Sequence, residues 1–338
     1  MRNEIISIVS DDNLKRDVAI QLIGDPHLGR EFVNGVALER RGEREDKQFQ
    51  QFDTLLNTEA DIVIMMGDLF DKFQVKNEVL MRTFHIINQA AYANPTKEFY
   101  MMMGNHDVSR DEDRISSFKV LKSMCGHLDQ VYFIDTPMFA PRIKSMLIPY
   151  SAFSSSVDVA EEQQPWLEMH KPLNAVFGHW DVDSFGDKDF NLVPLEQLKD
   201  YTDTIYTGHI HKPEVRTLGN VTLTVTGSMQ PYSHAEDETT DYYITITLDQ
   251  YNEDPTLYHD KAVRFKLKPG EEIPNDVDAL QVAFQMVNDD ATDELEVKME
   301  VFSFEAIFNE CLTAASVPAD RIPDVWGHYK ELTNAETT

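Results

Sequence analysis

The stretch VAIQLIGDPHLG, residues 18–29, shows the pattern from which the fold can be predicted. A short and largely apolar run, Val18–Ile23, ends at Gly24 and is followed at once by Asp25 and His27. Apolar runs of this length indicate buried strands, and glycine at the exit lets the backbone turn sharply. The aspartate and the histidine should therefore lie at the carboxyl end of a strand, where open α/β sheets bind ligands.

The same arrangement recurs four times along the chain. Each recurrence is an apolar run followed by glycine and by polar side chains: Ile62–Met66 before Gly67-Asp68, Phe99–Met103 before Gly104-Asn105-His106-Asp107, Ala175–Phe177 before Gly178-His179, and Thr204–Thr207 before Gly208-His209-Ile210-His211. Stretches with helical spacing separate the first three runs, as at Phe49, Phe52, Leu55 and Leu56. Alternating strands and helices predict a layered α/β fold.

Seven side chains at these strand ends are potential metal ligands: Asp25, His27, Asp68, Asn105, His179, His209 and His211. A mixture of carboxylate, imidazole and amide ligands suits Mn²⁺, Fe²⁺ or Zn²⁺. Seven ligands are too many for one ion, and they fit two ions that share a bridging carboxylate. Because two ions ~3.5–4 Å apart can assist in-line displacement at phosphorus, the set predicts a two-metal phosphoesterase centre.

Composition limits the class of protein. The 338 residues suggest two domains, or one with an appendage, and 42% apolar residues are enough for a core. The longest aliphatic run, Ile62–Met66, is far shorter than the ~20 residues of a membrane span. The acidic N-terminal stretch argues against a signal peptide. Cys125 and Cys311 form no metal-binding or disulfide pattern, so the sequence predicts a cytoplasmic protein that does not contact membranes.

The net charge of −29 argues against a protein that binds nucleic acid through its overall field. Residues 235–338 carry 24 acids and 7 bases, so contacts with a polyanion are expected in the first two thirds of the chain. The basic candidates there are Arg40, Arg41, Arg44, Lys47, Arg110, Arg114, Lys119 and Lys122. Acids interleave with these bases, and a solvated surface is an equally good interpretation of them.

Beyond about residue 256 the pattern predicts a small α+β unit. Its predicted elements are a strand at Val263–Leu267, a helix carrying Leu280, Ala283, Phe284 and Val287, a strand over 295–301 and a helix over 304–312. A last apolar stripe, residues 322–332, has helical spacing and includes Trp326 and Tyr329. It predicts a helix that binds in a partner's groove, or one that packs on the preceding unit.

The order of the motifs, DxH, GDxxD, GNHD, GH and GHxH, resembles that of the calcineurin-like metallophosphoesterases. Further details resemble the SbcD-type nuclease subunits of that superfamily, especially the short forms encoded by bacteriophages: Gly67-Asp68-Leu69-Phe70-Asp71, Gly178-His179-Trp180, Gly208-His209-Ile210-His211-Lys212-Pro213, and Gly227-Ser228 followed by Ser233 and acids. The motifs are dense from about residue 18 to residue 248.

The resemblance implies a layered β-sandwich core flanked by helices, then a small α+β cap domain and a C-terminal helix. The implied limits are an N-terminal extension over 1–17, a nuclease domain over 18–250, a cap domain over 256–316 and a partner-binding helix over 317–338.

The resemblance also implies roles for the site residues. It assigns three ligands to each of two divalent ions, best as Mn²⁺, and one bridging ligand: Asp25, His27 and His211 for the first ion, Asn105, His179 and His209 for the second, and Asp68 between them. His106 would be the catalytic histidine, donating a proton to the leaving oxygen or stabilising charge on the phosphate. Asp107 would orient it.

The implied activity is that of a DNA exonuclease and endonuclease subunit in an SbcC–SbcD-like repair and recombination complex, which cuts backbone phosphodiesters by metal-hydroxide attack. The implied partners are a coiled-coil ABC ATPase of the SbcC type and single- or double-stranded DNA ends, and a homodimer is left open. The location would be the cytoplasm, that of the host for a phage protein. Two alternatives are a phosphodiesterase or phosphatase for small substrates, and a scaffold subunit without catalysis.

Overall fold

A computed structural model of the protein describes residues 2–8, 17–109, 111, 114–183, 189–237, 239–272, 274 and 276–287. These residues form three β-sheets, which belong to one compact unit that ends at Met286. Within the described ranges, every helix is too short or too polar to span a membrane.

The first sheet contains five strands in the order β1-β2-β3-β4-β5: β1 Ile5–Ile8, β2 Val18–Ile23, β3 Ile62–Met65, β4 Glu98–Met102 and β5 Val131–Ile134. Strands β2 to β5 run parallel, and β1 pairs antiparallel with β2 at the edge. Three helices accompany this sheet: α1 Glu43–Leu56, α2 Asn77–Ala93 and α3 Ser117–Met124. Their apolar faces pack on the sheet in one buried cluster, which includes Phe52 of α1, Phe118 of α3 and Phe99 of β4.

The second sheet contains six strands in the order β10-β11-β9-β8-β7-β6: β6 Met138–Ala140, β7 Ser145–Ile148, β8 Ala175–Gly178, β9 Thr204–Thr207, β10 Glu214–Leu218 and β11 Val221–Val225. Its four inner strands are parallel, and the edge strands β6 and β10 are antiparallel. The accompanying helices are α4 Ser156–Glu162, α5 Gln164–His170 and α6 Leu195–Leu198. The fully buried Trp180 packs on this side of the sheet with Leu167 and Leu198.

The two sheets face each other across a layer of apolar side chains. Ile20 and Ile64 of the first sheet share one buried cluster with Leu147 and Phe177 of the second. The layers therefore run helix, sheet, sheet, helix. This order confirms the predicted fold class, an α/β layered sandwich flanked by helices.

The third sheet is small and parallel. It consists of β12 Tyr243–Thr247, β13 Ala262–Leu267 and β14 Gln281–Met286, with α7 Leu248–Glu253 after β12. Strand β12 comes from the predicted nuclease domain, and β13 and β14 come from the predicted cap domain. The limits of the domains stay predictions. The predicted elements from residue 288 onward, including the C-terminal helix, lie outside the described residues.

The helix predicted over Leu280–Val287 is wrong, because residues Gln281–Met286 form strand β14. The apolar residues there have helical spacing. Phe284, however, is exposed, so these residues do not form the buried face of a helix. Pairing along the whole of β13 decides the conformation instead. The amide of Val282 also donates to the carbonyl of Gly35. Tertiary pairing overrides short-range periodicity in this segment.

Candidate metal centre

The polar residues that follow β2, β3, β4, β8 and β9 meet at one end of the two facing sheets. Backbone contacts join these strand ends, since Asp25 bridges to Ser228 and Leu28 bridges to Phe70. The loops that follow these strands lie so close together that a Cβ atom on Gly67 would be 2.1 Å from His179 Nδ1. One on Gly104 would lie 2.1 Å from Asp68 Oδ1. Glycine at these strand exits is therefore a packing requirement.

Three predicted ligands have a left-handed backbone. The φ angles are 47° at His27, 49° at Asp68 and 73° at His209. Such angles are uncommon outside glycine, and they concentrate at functional sites, where the surrounding structure maintains them.

The first group of ligands is Asp25, His27 and His211, whose ligand atoms lie within 4.8 Å of one another. The Nε2 atoms of His27 and His211 are 2.9 Å apart. Two donors ~2.1 Å from one ion and at right angles lie about 3 Å apart, so this spacing fits two ligands of one ion. Asp25 is fully buried, and its Oδ1 atom has no hydrogen-bond partner among the residues that the structure describes. A buried carboxylate oxygen without a partner is costly unless a cation binds it.

The second group is Asp68, His179 and His209, again within 4.8 Å. Asn105 completes it, because its Oδ1 atom lies 2.9 Å from His179 Nε2 and 2.8 Å from His209 Nδ1. An amide oxygen between two imidazole nitrogens, each of which can act as a ligand, suits a shared cation.

Asp68 lies between the two groups. Its Oδ2 atom is 3.5 Å from His179 Nε2 and 3.8 Å from His27 Nε2. A further cluster joins Asp68 and His27 to His106. All seven predicted ligands thus lie together, and their donor types and unpaired oxygen fit a pair of divalent ions.

The electrostatics of the centre also favour cations. Burial lowers the pKa of His27 to about 3 and keeps this imidazole neutral. Burial also raises the pKa of Asp25, and the charge on Asp68 adds to the rise. Although burial opposes its ionisation, Asp68 has a lowered pKa because His179 and His27 stabilise its charge. Buried carboxylates beside imidazole side chains form an environment that a divalent cation stabilises.

The sequence of this centre matches a family model described as calcineurin-like phosphoesterase over residues 19–213, more than half of the chain. The chain belongs to the calcineurin-like phosphoesterase family.

Known relatives of this phosphoesterase include two archaeal proteins named DNA double-strand break repair protein Mre11. The one from Methanosarcina mazei is 26% identical over 250 residues, 70% of this chain. The one from Methanosarcina acetivorans is 26% identical over 252 residues, also 70% of this chain. The chain spans only 37% of the length of each relative.

Solved structures also resemble it. Phosphopantetheinyl hydrolase (PptH) from Mycobacterium tuberculosis has a TM-score of 0.37 and 14% identity, covering 63% of this chain and 93% of its own. A dimetal phosphatase from Danio rerio has a TM-score of 0.37 and 13% identity, covering 62% of this chain and 87% of its own.

His106 and Asp107 lie beside the predicted metal ligands, but Asp107 does not make the predicted contact with the His106 ring. His106 is exposed, and its Nδ1 atom lies 2.7 Å from the carbonyl oxygen of Asp71. The carboxylate of Asp107 accepts hydrogen bonds from the backbone amides of Leu69, Phe70 and Gly104. The orienting contact predicted from Asp107 to the His106 ring is therefore supplied by the Asp71 carbonyl.

Hydrogen bonds to the outer nitrogens of the imidazoles fix their orientation. His179 Nδ1 lies 3.0 Å from the Met66 carbonyl oxygen, and His209 Nε2 lies 3.0 Å from Asp181 Oδ1. Such contacts orient metal-binding histidines and raise their basicity. Asp181 stands two residues after His179, but no motif in the sequence marks it as part of the site.

His211 has a comparable partner that the sequence analysis also missed. Its Nδ1 atom lies 3.5 Å from Glu236 Oε2. Burial would raise the pKa of Glu236, yet its hydrogen bond with His211 and one from the amide of Tyr232 lower it to about 2. The only signal in the sequence was the acidic stretch after Ser233.

The N-terminal segment supports the same part of the site. Arg2 donates to the carbonyl and the hydroxyl of Ser228 and to the carbonyl of Glu236. Asn3 donates to the Met229 carbonyl and accepts from the Gly24 amide. The segment that received no role in the sequence analysis thus holds the loop beside Asp25 and His211.

Proposed function

We propose that this phosphoesterase is a metal-dependent DNA nuclease of the SbcD type, like the short forms that bacteriophages encode. It would act in the cytoplasm as the nuclease subunit of a DNA repair and recombination complex. The observation that carries the proposal is the pair of neighbouring ligand groups with the Asp68 carboxylate between them. Similarity to the Mre11 proteins supports DNA as the substrate.

Each group of ligands has its own place in the proposed centre. Asp25, His27 and His211 would hold the first ion, and Asn105, His179 and His209 would hold the second. Asp68 would bind both, and Mn²⁺ suits four imidazoles better than Mg²⁺ does. When bound, the two ions lower the pKa of water and stabilise the negative charge that develops on the phosphate.

His106 would handle the proton of the leaving group. If its Nδ1–H group donates to the Asp71 carbonyl, the opposite nitrogen, Nε2, can face the substrate. The protonated ring would donate the Nε2 proton to the leaving sugar oxygen as general acid. The backbone amide of His106 donates to Asp68 Oδ1, and this bond holds the histidine beside the proposed bridging ligand.

Asp107 is a positioning residue in this proposal. Its buried carboxylate joins the loop after β3 to the loop after β4 through three backbone amides. Burial and the charge on Asp68 raise its pKa to about 7. Because Asp68 and His106 lie on these two loops, Asp107 sets the distance between the bridging ligand and the general acid.

The proposed partner is a coiled-coil ATPase of the SbcC type, with DNA ends as the substrate. A chain at −29 repels a polyanion, so a partner that provides positive surface would supply most of the affinity. The predicted partner-binding helix over 317–338 lies outside the described residues and stays a prediction.

The proposal can be tested with the purified protein and Mn²⁺. Linear single- and double-stranded oligonucleotides would be offered beside bis-p-nitrophenyl phosphate, a small diester. We expect cleavage of all three, and Asp68→Ala should reduce each rate to background. Hydrolysis of the small diester alone would contradict the nuclease and favour an enzyme for small substrates. Inactivity on all three would favour a scaffold.

A further inference from the structure

A cavity of about 290 Å³ lies beside the metal centre. Its walls come from the loop after β2, from the segment around Tyr232 and from the third sheet. Tyr232 also contacts the centre, because its ring lies 5.4 Å from the ring of His27 and 5.6 Å from that of His211. A molecule in the cavity would therefore be a close neighbour of a substrate bound at the metal ligands.

Two guanidinium groups line this cavity with little negative charge to balance them. Arg264, on β13, makes no ion pair with any residue that the structure describes. Arg30 lies over the ring of Tyr232, and its Nη1 atom forms a long ion pair with Asp71 Oδ1, 3.7 Å away. The acid in the lining, Glu31, is paired with Lys76.

Three of the eight basic residues that the sequence offered for phosphate binding are already paired. Arg40 pairs with Glu43, Lys47 with Asp260, and Lys122 with Asp135. Arg110 lies outside the described residues. Arg264, which is unpaired among the described residues, belongs to the acidic last third of the chain. The charge distribution along the sequence predicted phosphate contacts only in the first two thirds.

A third guanidinium lies directly behind the cavity wall. Arg44 is only 6% exposed and lies 3.7 Å from the ring of Phe32 and 5.0 Å from that of Tyr243. Its hydrogen bonds go to Gln281 Oε1 and to the Tyr243 hydroxyl, both neutral groups. In the described part of the chain no carboxylate pairs with it. A buried cation without a counter-charge favours an anion nearby.

We infer that this cavity is an anion subsite, which takes a backbone phosphate of the strand being cut, next to the phosphodiester held at the metal centre. The inference rests on the proposed function. Guanidinium groups bind phosphate through two parallel hydrogen bonds. Arg264 and Arg30 provide these donors, and the charge on Arg44 strengthens the field. The subsite would favour a nucleotide strand over a small diester that has only one phosphate.

The test compares Arg264→Gln with Lys266→Gln. Lys266 is an exposed base two residues further along β13 and does not line the cavity. Each protein would be assayed with Mn²⁺ on a single-stranded oligonucleotide and on bis-p-nitrophenyl phosphate at several salt concentrations. For Arg264→Gln we expect a KM for the oligonucleotide raised by about tenfold and a salt slope reduced by about 1. Hydrolysis of the small diester should be unchanged, and Lys266→Gln should resemble the wild type.

Two outcomes would overturn the subsite while leaving the nuclease in place. One is an unchanged KM and salt slope in Arg264→Gln, and the other is an equal loss on both substrates, which indicates a structural defect. If the wild-type protein hydrolyses only the small diester, the proposed nuclease function is wrong. A strand phosphate then cannot be the ligand of the cavity. Inorganic phosphate without metal is the second probe. Thermal stabilisation by phosphate that is lost in Arg264→Gln, together with an unchanged KM for the oligonucleotide, would assign the cavity to free phosphate instead.

Discussion

The two halves of the proposed metal centre contain similar candidate ligands, but different parts of the chain support them. In the half of Asn105, His179 and His209, the supporting groups are the Met66 carbonyl and Asp181. Both lie within residues 19–213, which the family model matches. In the half of Asp25, His27 and His211, support comes from Arg2, Ser228 and Glu236, all outside that region.

This difference shows that the family region does not build the whole site alone. The Ser228 amide donates to the His211 carbonyl, and the Met229 amide donates to the Asp25 carbonyl. The loop that makes these bonds is itself held by Arg2 and Asn3. The half that contains His211 should therefore respond to changes outside the family region, whereas the other half should not, and the following substitutions test this comparison.

The largest effect should come from His106, which lies between the two halves. In His106→Gln, loss of the proposed general acid should lower the rate of oligonucleotide cleavage by ~10²–10⁴-fold. Both ions should remain, because the proposed ligands are unchanged. Single-turnover kinetics and a Mn²⁺ titration measure the two quantities. Loss of an ion in the variant would show that His106 is a metal ligand. A cleavage rate near that of the wild type would show that His106 takes no part in the reaction.

The next effect concerns the carboxylates that contact the outer imidazole nitrogens. Loss of such a partner typically weakens metal binding by about 10–100-fold. Asp181→Asn should weaken the ion near His209, and Glu236→Gln should weaken the ion near His211. The effect of Glu236→Gln should be smaller, because Glu236 lies 3.5 Å from His211 whereas Asp181 lies 3.0 Å from His209. Calorimetric titration with Mn²⁺ should show one weakened site in each variant, and equal weakening of both sites would contradict the division.

The smallest effect should follow Arg2→Ala. Loss of its hydrogen bonds to the loop should cost roughly 1 kcal/mol, or about fivefold in the affinity of the first ion. The ion near His179 should bind as before. Arg41→Ala, at an exposed base, is the matched control. If both ions bind less tightly and the melting temperature falls, Arg2 only stabilises the fold.

The layers and the seven proposed ligands could be predicted from the sequence, because each ligand follows a buried strand and parallel strands end at one edge. The pairing of imidazoles with Asp181 and Glu236 could not. Glu236 is 25 residues from His211 in the chain, and only tertiary structure brings it there.

Other misses have the same physical origin. Residues Gln281–Met286 have helical spacing and become a strand because β13 offers a partner. Asp107 stands beside His106 in the chain, yet its carboxylate binds backbone amides of two loops. Arg264 lies in the most acidic part of the sequence, and the fold brings it to the lining of the cavity. Local sequence shows which groups are present, and long-range packing decides which group each one contacts.

The central claim is that two ions share Asp68. Anomalous diffraction at the manganese edge, from crystals of the protein grown with Mn²⁺, tests it most directly. The account predicts two peaks, one beside Asp25, His27 and His211 and one beside Asn105, His179 and His209, with the Asp68 carboxylate between them. A single peak, or a second peak that Asp68 does not contact, would contradict it.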